Sequence, residues 1–291
     1  MIKIIVDSTA YTPKEYAEAN DITVIPLRVL YKDQEFDEGY PGTYDAFFED
    51  FTKTKVFPKT SQPSLETFIE EYEKAIDKGD EVIVFTISST LSGTYSVACL
   101  AKDQCKDPSK VYVIDSQGNT QTVLGYVMEA VNMRNAGATC EEIIKRIESL
   151  IPNSAVSFIP DTLEYLAKGG RIGKVTATIG SILKIKPIIT FKQGILSDKK
   201  SIGLQKAMKD LIASIPEKIK RLFIIHIANT KFFEMLKKFV YEYLAKRPDK
   251  NKIEVYEGEV GPVNAAHVGP AIGLAWIAES YSVSVSALFF L

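Results

Sequence analysis

VIVFTISSTLSGTYS, residues 82–96, runs from an apolar stretch directly into a hydroxyl-rich turn that contains one glycine. Residues 82–85 read as a strand covered on both faces, and the residues past the turn read as a helix. A β-to-α junction of this kind builds parallel sheets with helices packed on them. The same alternation recurs through the first half, with strands expected over 3–6 and 111–114 and helices over 13–20 and 121–135. Leu65, Phe68, Ile69, Tyr72 and Ile76 share one helical face that stops at Gly79. Residues 22–31 and 34–39 predict an excursion in hairpin form, turning at Lys32-Asp33. The helix over 121–135 ends near Gly137, and Thr139 with Glu142 predicts a capping box for the next one.

Ile151-Pro152-Asn153 marks the expected boundary between two α/β domains. Residues 1–152 form a Rossmann-like parallel-sheet domain in this reading, and residues 153–291 a second domain with a mixed sheet, the ligand lying between them. Strands are expected there over 155–159, 187–191, 222–228 and 253–257, and a long helix over 232–246.

Composition narrows the function. The 291 residues are 46% apolar and 25% charged, the balance of a globular protein with a large core. A net charge of −2 with dispersed lysines and arginines gives no support to a nucleic-acid surface. The apolar stretch 269–278 is too short to span a bilayer and ends at Glu279, and Asp7 interrupts the apolar start before a secretory segment can form. The cytoplasm is the expected address. Cys99, Cys105 and Cys140 lack paired spacing and accompany only two histidines, so reduced thiols are expected rather than disulfides or a zinc site.

An anion site is suggested by the strand ends. Asp7-Ser8-Thr9, Ser88-Ser89-Thr90 and Asp115-Ser116 should meet along the carboxyl edge of one parallel sheet, where ligands bind. The helix after Ser92 and Gly93 offers free backbone amides there. Ser64 is expected to cap the helix after it, whereas Thr60 and Ser61 are open to either capping or donation to the same anion. In the stretch 161–173, Asp161 suits an N-cap, and Gly169-Gly170 ends the helix so that Arg171 leaves on a constrained turn. Arginine grips carboxylate or phosphate through two hydrogen bonds. His226 reads as a core residue. His267, in a glycine- and proline-bounded segment, either packs in the core or reaches the Ser92 site.

A serine hydrolase would pair Ser92 with His267 and orient the imidazole with Asp7 or Asp115. The surrounding Leu-Ser-Gly-Thr-Tyr is not the G-x-S-x-G elbow, and neither a dinucleotide fingerprint nor a Walker motif is present.

Five segments in order resemble the DegV family of bacterial fatty-acid-binding proteins: Asp7-Ser-Thr-Ala, Thr60-Ser-Gln-Pro-Ser, Ile87-Ser-Ser-Thr-Leu-Ser-Gly-Thr-Tyr, Tyr165-Leu-Ala-Lys-Gly-Gly-Arg-Ile and Ala266-His-Val-Gly-Pro. The resemblance implies a carrier with no cofactor that holds one long-chain fatty acid, its tail in an apolar tunnel to which residues 179–189 would contribute. Carried over by motif, Thr60, Ser61, Ser92 and Gly93 hold the carboxylate and His267 helps position it. Arg171 lies near the mouth used with a separate ATP-dependent fatty acid kinase, which makes the acyl phosphate for phospholipid synthesis. The chain departs from the family pattern at Ala271, where a glycine often follows Gly-Pro, at Ile202, where a basic residue is common, and in its longer tail.

Overall fold

The computed structural model describes residues 1–171 and 185–279; the expected tunnel contribution of 179–184 and the tail beyond Glu279 lie outside the described residues. From the N-terminus, β1 (Ile2–Asp7), α1 (Lys14–Ala19) and β2 (Ile22–Ile25) form a β-α-β unit with parallel strands. The chain then leaves that sheet. β3 (Arg28–Tyr31) and β4 (Gln34–Asp37) make the hairpin, α2 (Asp45–Phe51) follows, and β5 (Lys59–Ser61) returns to pair with β3. Lys32 and Asp33 take φ values of 49° and 62°, the left-handed pair that a two-residue hairpin turn requires.

α3 (Leu65–Asp77), capped by Ser64, leads into β6 (Glu81–Thr86), α4 (Thr94–Gln104) and β7 (Val111–Asp115). The completed sheet is parallel throughout, in the order β2-β1-β6-β7. Its strands are continuous apolar runs because both faces are covered: α3 and α4 pack on one, and α5 (Gln121–Asn135) packs on the other. α6 (Cys140–Leu150) begins with the Thr139–Glu142 capping box.

The second half supplies β8 (Ala155–Pro160), α7 (Glu164–Lys168), β9 (Ile185–Lys192), β10 (Ile195–Ile202), α8 (Leu204–Ile212), β11 (Ile219–Ile227), α9 (Thr230–Ala245), β12 (Glu254–Glu259), α10 (Pro262–Val268) and β13 (Ala271–Ala278). They form a mixed six-stranded sheet in the order β10-β9-β8-β13-β11-β12, parallel only between β11 and β12. α8 and α9 cover its outer face. The inner face meets α5, so one helix is packed between the two large sheets and a single apolar core joins them.

Several expectations need correction. The elements α2, β10, α10 and β13 are additional to those read from the sequence. Asp161 is not the cap of α7: its N–H donates to the Pro270 carbonyl at 2.9 Å and its carboxylate accepts from Asn229, while Thr162 Oγ1 accepts from Glu164 N at 3.2 Å. The strand neighbour therefore claims Asp161 before the helix begins. Cys105 and Cys140 are buried and Cys99 is half-buried, all as free thiols. Among the described residues no helix is long and apolar enough to cross a membrane, and no cluster of side chains could hold a metal ion.

Candidate functional site

A cavity lies where the small three-stranded sheet, the carboxyl edge of the parallel sheet and the inner face of the mixed sheet come together. Most of its wall is apolar, with Ile87 and Leu91 following β6, Val156 and Phe158 on β8, Phe191 on β9, and Ile225 and Ile227 on β11.

Four sequence-predicted residues line it: Thr60, Ser92, Arg171 and His267. The pairing of β5 with β3 places Thr60 opposite Val29, and Thr60 Oγ1 lies 2.8 Å from Nε2 of His267 on α10. Pro262 starts α10 at a position where its missing N–H costs nothing. Nδ1 of His267 is buried with no partner among the described residues. A side chain at position 169 would bring its Cβ within 2.6 Å of that nitrogen, so Gly169 permits the close approach of α7 to the imidazole. Gly170 then takes φ of 69° and turns Arg171 back. The Arg171 guanidinium donates to the Gly169 carbonyl at 2.6 Å and to the Leu91 carbonyl at 3.4 Å, tying the turn after α7 to the turn after β6.

Ser92 Oγ pairs with Thr94 Oγ1 at 2.8 Å and accepts from Thr94 N at 3.3 Å. Two other expected residues are not part of the wall. Ser61 follows Thr60 on a strand, so its side chain points to the opposite face, into solvent. Gly93 is exposed beside Ser92, and the Gln62 amide occupies the place a Cβ would need.

The polar strand ends do share one edge, but they mostly satisfy one another. Asp7 accepts from Thr9 N at 2.9 Å, from the Thr9 hydroxyl at 2.5 Å and from Ile87 N at 2.6 Å, and Asp115 accepts from Ser89 and Gln117. Neither carboxylate orients His267, and the nearest hydroxyl to its Nε2 belongs to Thr60 rather than Ser92. The serine-hydrolase triad is thus not assembled. His226, expected in the core, is half-buried: it packs against Phe233 at a ring separation of 4.5 Å and also borders the cavity.

Burial pushes the His267 imidazole down to about 4, with the Arg171 charge adding to the effect. It is expected to remain neutral from pH 5.5 to 8, which nitrogen NMR shifts of the imidazole would report. Because the unfolded chain binds this proton more readily, the contribution to stability is complete above 6.5 and is lost as pH falls toward 4. A ring that titrates near 6.5 would contradict the buried placement.

Sequence reading missed Asn119, Thr120 and Asn264, which also line the cavity. Asn264 precedes His267 by three residues and so shares its helix face, a periodicity signal available only once residues 262–268 are known to be helical.

The fold and cavity together define a three-sheet α/β protein enclosing a mainly apolar space with a hydroxyl-, imidazole- and guanidinium-bearing end. Residues 1–279 match the family described as "Uncharacterised protein, DegV family". The chain belongs to the DegV family. A fatty acid-binding protein of Thermotoga maritima is 34% identical over 281 residues, covering 92% of this chain and 94% of that protein. The crystal structure of DegV from Bacillus subtilis, a fatty acid binding protein, superposes with a TM-score of 0.78 at 30% identity, over 96% of this chain and 99% of that one. A stearic acid-binding protein from Eubacterium ventriosum gives 0.82 at 28% identity, with coverage of 96% and 98%.

Proposed function

We propose that this protein is a cytoplasmic carrier that binds one long-chain fatty acid and presents its carboxylate to a separate ATP-dependent kinase. The observation that carries the reading is an apolar cavity whose polar end gathers Thr60, Ser92, Arg171 and His267. Burying an acyl chain contributes about 0.8 kcal/mol per CH₂, so the tail supplies most of the affinity. The carboxylate must then be hydrogen-bonded or its desolvation cancels that gain. The Thr60 and Ser92 hydroxyls donate to it. If His267 carries its proton on Nε2 and donates to Thr60 Oγ1, the Thr60 proton is free for the ligand.

In this reading the kinase step uses the same polar end. A carboxylate oxygen attacks the γ-phosphorus of ATP held by the partner, ADP leaves, and an acyl phosphate for phospholipid synthesis remains on the carrier. Arg171 stabilises the charge on the transferring group. The carrier itself supplies no cofactor.

Native mass spectrometry of the purified protein is expected to find about one fatty acid per chain. Combining Thr60→Val with Ser92→Ala should weaken binding by at least tenfold, since hydrogen bonds to a charged group each contribute roughly 1.5–3 kcal/mol. Arg171→Ala should retain the lipid and lose phosphorylation by the kinase. Protein that is lipid-free and cannot be loaded would sink the reading; unchanged affinity in the double variant would move the head group elsewhere.

A further inference from the structure

Thr120 is only 5% exposed, and its Oγ1 has no hydrogen-bond partner among the described residues, although the residue lines the cavity. Its backbone, at φ 53° and ψ −135°, lies where a β-branched residue is an outlier. Strain of this kind persists only where the surroundings enforce it, and it collects at ligand clamps. Here the enforcement is visible. The Thr120 N–H donates to Asn119 Oδ1 at 2.8 Å, and its carbonyl accepts from Val123 N at 3.0 Å in the first turn of α5. Asn119 and Asn264 exchange amide hydrogen bonds at 2.7 and 3.2 Å, and Asn264 Nδ2 also donates to the Tyr11 hydroxyl at 2.8 Å. The two amides are thereby engaged with their neighbours, and the hydroxyl of Thr120, a residue that lines the cavity, is left buried without a partner among the described residues.

This group of side chains makes no hydrogen bond to Thr60, Ser92, Arg171 or His267 among the described residues. A plain hydrocarbon chain would seal the Thr120 hydroxyl against methylenes, whereas an oxygen on the chain would receive its hydrogen bond. We infer that Thr120, held by Asn119 and Asn264, forms a second polar subsite, and that the preferred ligand is a hydroxy or oxo fatty acid. The inference rests on the fatty-acid reading above. Asn264 and His267 stand one turn apart on α10, a rise of about 4.5 Å. The oxygen accordingly belongs in the carboxyl-proximal part of the chain.

Competition binding tests this with palmitic acid and hydroxypalmitic acids bearing the hydroxyl near the carboxyl group, in mid-chain or at the methyl end. The carboxyl-proximal isomer is expected to bind about tenfold more tightly than palmitic acid, and the methyl-end isomer no more tightly. Thr120→Val should erase that preference, and Thr120→Ser should keep it. If palmitic acid binds and no hydroxylated isomer is preferred, the subsite is overturned while the fatty-acid reading stands; if none of these acids binds, both fail. A preference that survives in Thr120→Val also overturns the assignment. Should that variant not fold, the competition on the wild-type protein decides alone.

Discussion

Glu129→Ala is expected to lower the unfolding free energy by about 3–5 kcal/mol, the usual effect of stripping one partner from a buried charge. Glu129 sits on α5, only 4% exposed, and three cations converge on it: Arg146 at 2.9 Å, Lys220 at 2.7 Å and Arg221 at 3.0 Å. Arg221 on β11 is completely buried, and its remaining carboxylate partner is Glu254 at 2.7 Å. Removing Glu129 leaves that guanidinium short of charge compensation in the interior and releases α5 from the mixed sheet. An exposed pair such as Lys53–Glu49 should by contrast contribute about 0–1 kcal/mol.

Burial alone would raise the Glu129 carboxyl, but hydrogen bonds from Lys220, Arg146 and Arg221 outweigh it and hold the group down to about 2. Its contribution is therefore full above the unfolded value of 4.5 and is lost as pH falls through about 2. Urea unfolding of wild type and variant at pH 7 measures the difference, and acid titration should bring the two curves together. A loss below 1 kcal/mol at pH 7 would mean that water re-solvates the cations.

What the sequence reveals of this fold tracks how local the determinants are. The parallel sheet is legible because β6 and β7 are apolar runs between well-marked turns, and α5 and α6 because caps and a glycine stop bracket them. β13 is also wholly buried, but AIGLAWIA has neither period 2 nor period 3.6, so its strand character depends on pairing with β8 and β11. β10 carries Asp198, Lys199 and Lys200 because it is a sheet edge, where charge discourages further pairing.

The candidate site divides in the same way. Thr60, Ser92, Arg171 and His267 come from four distant segments; strand ends and turn chemistry leave their convergence one option among several, and the family motifs select it. The family motifs also point to Ser61 and Gly93, but strand alternation and exposure exclude them from the wall. Thr120 carries no composition or spacing signal at all. Its significance lies in a backbone conformation that only the loop between β7 and α5 creates.

Glu38→Ala is the second change expected to have a large effect, about 2–5 kcal/mol from several stranded donors, accompanied by loss of ligand retention. Glu38 is 4% exposed and fastens α10 to the N-terminal half: Oε1 accepts from Val263 N at 2.8 Å and from Tyr11 at 3.3 Å, and Oε2 accepts from Ser8 at 2.7 Å. Tyr11 in turn accepts from Asn264 N at 3.2 Å. Since α10 carries both His267 and Asn264, loosening its first turn displaces the polar end of the cavity. The groups facing Glu38 are Asp7, Tyr11 and Tyr44, with Glu259 beyond Tyr44, and among the described residues no cation hydrogen-bonds to it. Burial, with the neighbouring Asp7 charge, raises the Glu38 carboxyl to about 7 against its hydrogen bonds, and burial raises Asp7 to about 6.

The sign is opposite to that of Glu129. The folded state holds these protons more tightly, so the stability they contribute is complete below pH 4 and declines as pH rises through about 6 and about 7. Glu38→Gln keeps an acceptor for Val263 N and cannot ionise, so its stability relative to the wild type should rise from about pH 4.5 to about 7 and level off above that. Comparing the two proteins cancels the His267 contribution, which runs the other way below 6.5. Parallel stability curves across that interval would show that Glu38 ionises as readily in the folded chain as in the unfolded one, and that α10 is held by the acceptor geometry alone.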